Sequence, residues 1–207
     1  MKKSVIMVCL ALGAASAFGA ETNSTPQYAE AKYTAAIENR TAEILKVLAL
    51  TDAVRSVGVH DAIIAQYHSL KAWHDEYDGK LNSKPNSNTV ALIGLSRKSL
   101  HDHFLAQLAE NLTPAQIEQV KDKMTYGKVQ FTFNGYVSQY PNLTDAHRQK
   151  ILELLKQARE EAMDGGSAAE KTAVFKKYKG KINNYLAQEG IHAERTKVIS
   201  ATNSPAQ

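Results

Sequence analysis

The chain has 207 residues, with 25 lysines and arginines against 21 aspartates and glutamates, a formal charge of +4 and one cysteine. So small an imbalance argues against a nucleic-acid binder defined by bulk charge. A lone cysteine leaves no internal disulfide, cysteine–zinc cluster or dithiol chemistry, and the length suits one domain.

The N-terminus reads as a signal peptide over residues 1–20: Met1-Lys2-Lys3, an apolar run from Val5 to Ala15, then small residues through Ala20. The run is too short to span a membrane, which takes roughly 20 apolar residues. Cleavage removes Cys9. The expected product is an exported protein, periplasmic or secreted, without stable membrane insertion. It comprises one helical domain over residues 21–195 and a flexible tail over 196–207 that lacks periodicity.

Within the domain, Tyr33, Ile37, Thr41, Ile44 and Leu48 recur at helical spacing from Gln27 to Ala49, behind Pro26. Thr51 is placed to cap a helix through Val54, Val57, Ile63, Ile64, Tyr67 and Leu70 to about Tyr77. The polar, turn-rich run from Gly79 to Thr89 predicts a surface loop. A helix from Val90 to Glu110 follows, with Leu92, Leu100, Phe104 and Leu108 inward. Thr113-Pro114-Ala115-Gln116 and Ser167-Ala168-Ala169-Glu170 have the wording of capping boxes, and Thr144 caps a third helix start. Gly165 suits a left-handed helix cap, and Gly190 stops the last helix.

Between these helices lies the stretch that departs from the pattern. Tyr126, Phe131, Phe133, Tyr136 and Tyr140 crowd into a segment rich in Gly and Asn and ending at Pro141. Val129, Phe131 and Phe133 alternate with Gln130 and Thr132 ahead of Asn134-Gly135. A small hairpin, or an extended segment followed by a helical turn, is the expectation. The fold class is therefore all-α: a compact antiparallel bundle of about five to six helices with an irregular aromatic-rich insert near residues 125–142.

Few residues point to catalysis. His-Glu-x-x-His, a phosphate loop and a nucleophile elbow are all missing from the sequence. His101 and His103 lie about 200° apart around a helix and read as surface residues, and Glu160-Glu161 reads as a solvated pair. His74 forms a possible polar cluster with Asp75 and Asp78. It suits either a buried hydrogen-bonded pair or the start of a metal site, and without an evident third ligand no metal and no cofactor is expected.

The aromatic insert suits binding better. Rings stack on the apolar faces of sugars, while asparagines and lysines bond hydroxyls and carboxylates. Tyr126, Asn134, Tyr136 and Tyr140 are the candidates there, whereas Phe131 and Phe133 are expected to plug the end of the bundle. In the last helix Lys179 and Asn183 stand one turn apart, with Lys181 and Asn184 nearby, as a second wall.

Several blocks match a known pattern: Met124-Thr125-Tyr126-Gly127, Gly135-Tyr136, Pro141-Asn142-Leu143-Thr144, Ala158-Arg159-Glu160, Ala162-Met163-Asp164 and the run from Lys177 to Leu186. In these the chain resembles the bacterial family catalogued as domain of unknown function 3826. Lys181 stands where that family has arginine, Lys128-Val129-Gln130 replaces a proline-containing stretch, and the region from Gly79 to Thr89 is shortened. The resemblance implies an exported, sugar-binding protein of polysaccharide-degrading bacteria. The function expected is a non-enzymatic carbohydrate-binding module whose partner is a neutral or acidic polysaccharide or oligosaccharide, and not a nucleic acid. The alternatives are a periplasmic chaperone or stress protein, from the likeness of Leu112-Thr113-Pro114-Ala115-Gln116 to a Leu-Thr-x-x-Gln motif, and a hydrolase or lyase using His74 with Asp75 or Asp78.

Overall fold

The computed structural model describes residues 26–192. The expected signal peptide, Cys9 and the expected tail lie outside these residues. Among the described residues seven α-helices form an all-α bundle: α1 (Pro26–Leu48), α2 (Ala53–Asn82), α3 (Ser87–Ala109), α4 (Pro114–Met124), α5 (Lys128–Gln139), α6 (Asp145–Met163) and α7 (Ala168–Gln188). The chain separates into two units between Ala35 and Ala36, inside α1. The core, grooves and clusters described below belong to the second unit.

Most helix starts follow the capping chemistry in the sequence. Thr113 accepts from the Gln116 amide while Gln116 reaches back, with Pro114 at the first helical position. Thr144 does the same with His147. Ser167 accepts from the Glu170 amide at 3.1 Å, but the Glu170 carboxylate turns instead to the Gly166 amide at 3.0 Å and the Ser167 hydroxyl at 2.9 Å. At α2 the cap is Asp52, not Thr51: its Oδ1 accepts from Val54 at 2.8 Å and Arg55 at 3.1 Å. Gly190 adopts φ 70° at the end of α7 as expected, whereas Gly165 takes no positive φ.

The expected loop from Gly79 to Thr89 shrinks to residues 83–86. Leu81 gives α2 one more partly buried position, and Asn86 caps α3 by accepting from the Thr89 amide at 2.9 Å. The helices pair antiparallel: Trp73 donates to Ser96 at 2.8 Å near one end, and Arg55 reaches the Asn111 carbonyl at the other. Val54, Val57 and Leu92, expected inward, are 81, 60 and 68% exposed. They lie near the starts of their helices, off the stripes set by Val59, Ile63, Tyr67 and Leu70 on α2 and by Ile93, Phe104 and Leu108 on α3.

The second hairpin is α6 against α7, with α5 laid across α6. Ile151, Leu155, Ala158, Ala162, Phe175, Ile182 and Leu186 form its interior, and each large aliphatic side chain there contributes about 1.5–3 kcal/mol by leaving water. The aromatic stretch is a regular helix in this hairpin, contrary to the hairpin or extended segment expected. Its buried residues are Val129, Thr132 and Tyr136, a three-and-four spacing that the alternation of Val129, Phe131 and Phe133 concealed. Gly135 costs α5 about 1 kcal/mol relative to alanine, and the Gln130 amide bonding Asn134 at 2.7 Å, one turn on, offsets part of that.

Candidate functional site

Between α4 and α5 the chain turns through Tyr126 and Gly127, both left-handed at φ 61° and 62°. Glycine takes this conformation freely, but a tyrosine there is strained. The Gly127 amide bonds the Asp122 carbonyl at 2.8 Å, and the Thr125 hydroxyl bonds the Lys121 carbonyl at 2.9 Å. This turn aims α5 so that its outer face meets α7 along a groove of about 530 Å³.

Asn134, Tyr136, Tyr140, Lys179 and Asn183 all line that groove. The Tyr136 and Tyr140 rings stack with centroids 5.9 Å apart and planes at 25°. The Tyr136 hydroxyl donates to Asn183 Oδ1 at 2.8 Å and lies 3.2 Å from the Lys179 carbonyl. Burial, with Tyr140 adjacent, pushes the Tyr136 pKa to about 12. It stays a neutral donor, and with Asn183 Oδ1 engaged, the Asn183 amide nitrogen is the end left for a ligand.

Phe131 also lines the groove and is 78% exposed, so it does not plug the bundle. Phe133 does pack on the core. The residue that sequence reasoning undervalued is thus the most exposed aromatic ring lining the groove. Once α5 is a helix, the signal is plain: Phe131 falls opposite the stripe of Val129, Thr132 and Tyr136.

Three expected residues fall outside the groove. Tyr126 lines a separate depression of about 620 Å³ with Arg40, Glu43, Gln119 and Asp122. Lys181 lies about 200° around α7 from Lys179 and sits 4.1 Å above the Tyr178 ring. Asn184 is exposed and lies off the groove lining.

A second constellation surrounds the turn from Asp164 to Gly166. His74 Nε2 donates to the Asp164 carbonyl at 2.8 Å, and its Nδ1 faces the Asp78 carboxylate at 3.0 and 3.1 Å. Asp75 turns instead to Lys71 at 2.5 Å. Glu170 from α7 comes within 3.7 Å of the same Nδ1, so the third metal-ligating group that the sequence did not reveal is present. A methyl at Gly166 would meet the His74 ring at 2.9 Å, so glycine is needed for this approach.

From that turn a chain of buried polar groups continues. Asp164 Oδ1 bonds His101 Nδ1 at 3.0 Å, and Glu160 lies 3.6 Å from the other ring nitrogen. The hydrogen bond with Asp164, and then the Glu160 carboxylate beside the ring, hold the His101 pKa at about 9. Burial raises the Glu160 pKa, but the nearby His101 ring and the Lys121 ammonium bonded at 2.9 Å outweigh it and hold the carboxyl at about 2. Arg159, 3% exposed, bonds Asp122 at 2.6 Å and also Glu118. Lys171 is buried with its ammonium on the Met163 carbonyl at 3.0 Å, and desolvation lowers its pKa to about 8. His101, its side chain 15% exposed, is therefore an interior network member and not the surface residue expected, while Glu160, 36% exposed, joins the network from its solvent edge.

The family model described as Protein of unknown function (DUF3826) matches residues 34–198. The chain belongs to this family. A comparison with curated proteins gives no match. Within the DUF3826 region both constellations are complete, and among the described residues no helix is long and apolar enough to cross a membrane.

Proposed function

We propose that this protein is an exported carbohydrate-binding module and that the α5–α7 groove is its binding site. The observation that carries the reading is the composition of the groove wall. The exposed Phe131 ring stands beside the Tyr136–Tyr140 stack, with Asn134, Asn183 and Lys179 around it. Sugars offer apolar C–H faces ringed by hydroxyls, and rings with amide and ammonium donors complement both features. A carboxylate-bearing sugar gains a further contact with the Lys179 ammonium, at strength that falls with salt.

The groove contains no paired acid and base, so retention without turnover is the expected behaviour. Affinity electrophoresis on neutral and uronate-rich polysaccharides tests it. Wild type is expected to be retarded on at least one gel, and Lys179→Ala combined with Asn183→Ala to run freely with little change in Tm. Retardation that survives this pair together with Phe131→Ala would move the ligand elsewhere.

A further inference from the structure

We propose that His74, Asp78 and Glu170 form a binding site for one first-row divalent transition-metal ion, separate from the sugar groove. The three residues come from two helices far apart in sequence, α2 and α7. Their ligating atoms, one from each residue, all lie within 4.8 Å of one another.

The spacing suits an ion more than a hydrogen-bonded cluster. Nδ1 lies 3.0 Å from Asp78 but 3.7 Å from Glu170. The second distance is beyond hydrogen-bond reach, so a proton on Nδ1 serves Asp78 alone and leaves Glu170 to the Gly166 amide and the Ser167 hydroxyl. Metal–ligand bonds of roughly 2.0–2.2 Å give tetrahedral edges of about 3.4 Å, and the two observed separations bracket that value. A single divalent ion serves both carboxylates at once.

Each ligand except Asp78 is held by a partner outside the triad. His74 Nε2 donates to the Asp164 carbonyl, which can only accept, so in the neutral ring the proton is on Nε2 and Nδ1 offers its lone pair to the ion. Glu170 is oriented by the Gly166 amide and the Ser167 hydroxyl. Such outer partners fix ligand orientation in metal sites. The His74 side chain is 11% exposed, whereas Asp78 and Glu170 are each 47% exposed, so one side of the ion faces solvent and can take water or a ligand oxygen.

One imidazole with two carboxylates and no thiolate selects zinc, cobalt or manganese over calcium and magnesium, which favour all-oxygen sets. The test is calorimetric titration of untagged, chelator-treated, dialysed protein with Zn²⁺, Co²⁺, Mn²⁺, Ca²⁺ and Mg²⁺, with circular dichroism on every variant. One saturable Zn²⁺ and Co²⁺ equivalent is expected, with weaker binding of Ca²⁺ and Mg²⁺. Asp78→Asn and Glu170→Gln replace half-exposed groups with near-isosteres and are expected to stay folded. Each is expected to weaken Zn²⁺ at least about tenfold, while the exposed-residue control His103→Ala leaves it unchanged. Absence of saturable binding by wild type, or unchanged Zn²⁺ affinity in both folded variants, overturns the site.

Discussion

The groove between α5 and α7 and the polar network around the Asp164–Gly166 turn use polar groups in opposite ways. In the groove the rings are stacked or exposed, and the polar side chains sit at the surface on one helical hairpin. In the network, Arg159, Asp164 and Lys171 are under a tenth exposed and join α2, α3, α4, α6 and α7. Groups that remain solvated cost little to keep and are available to a ligand. Groups taken out of water must be mutually satisfied, and their removal is felt by the whole fold.

The sharpest way to break this contrast is to unpair Arg159. Replacing Glu118 by Gln and Asp122 by Asn together leaves a buried guanidinium with Glu160, at 3.5 Å, as its remaining counter-charge, expected to cost about 3 kcal/mol in urea unfolding. A loss below about 1 kcal/mol would mean that water already reaches the guanidinium.

A smaller effect comes from pH. His101 has a raised pKa of about 9 in the fold against 6.5 outside it. Its stabilisation is complete below pH 6.5 and is lost as pH rises toward 9. Between pH 6.5 and 8 the expected loss is about 2 kcal/mol. Lys171 has the opposite sign: burial lowers it to about 8 from 10.5, so the folded state binds fewer protons in that interval and regains stability as pH rises. Urea unfolding across this range should fall, level between pH 8 and 9, then recover. His101→Asn should remove the fall, and Lys171→Met the recovery.

Gly166→Ala sets a methyl against the His74 ring at 2.9 Å and is expected to cost at least about 1 kcal/mol. If the ring is the cause, His74→Ala in the same chain should make the glycine substitution nearly neutral. Smallest in stability is Phe131→Ala, expected within about 0.5 kcal/mol because the ring is exposed. Its effect should appear instead as lost polysaccharide retention. A large loss of stability at Phe131 would erase the contrast.

Helix starts were legible because caps act within four residues, as at Thr113 and Thr144. The stripes on α1 and the second hairpin were legible for the same reason of local periodicity. Asp52 displaced Thr51 because both residues can cap and sequence alone does not set the helix phase. The α5 helix was hidden by Asn134-Gly135, a strong turn signal that packing against α6 overrides. In the groove, Lys179 and Asn183 were anticipated as a pair because residues one helical turn apart share a face, whereas Asn134, Tyr136 and Tyr140 were anticipated from their chemistry alone, alongside Tyr126, Lys181 and Asn184, which lie elsewhere. The network was not: His101 meets Asp164 across 63 residues, and His74 reaches the Asp164 carbonyl across 90. Neither separation carries a periodic signature, and a backbone carbonyl as partner leaves none at all.

The decisive measurement is a two-dimensional amide NMR titration of the protein with neutral and uronate oligosaccharides, residue by residue. Saturable shifts centred on Phe131, Asn134, Tyr140 and Asn183, with the Asp164–Gly166 turn unmoved, are the expected result. Shifts centred on the depression around Tyr126 and Arg40, or no shifts with any glycan at millimolar concentration, would contradict carbohydrate binding at the α5–α7 groove.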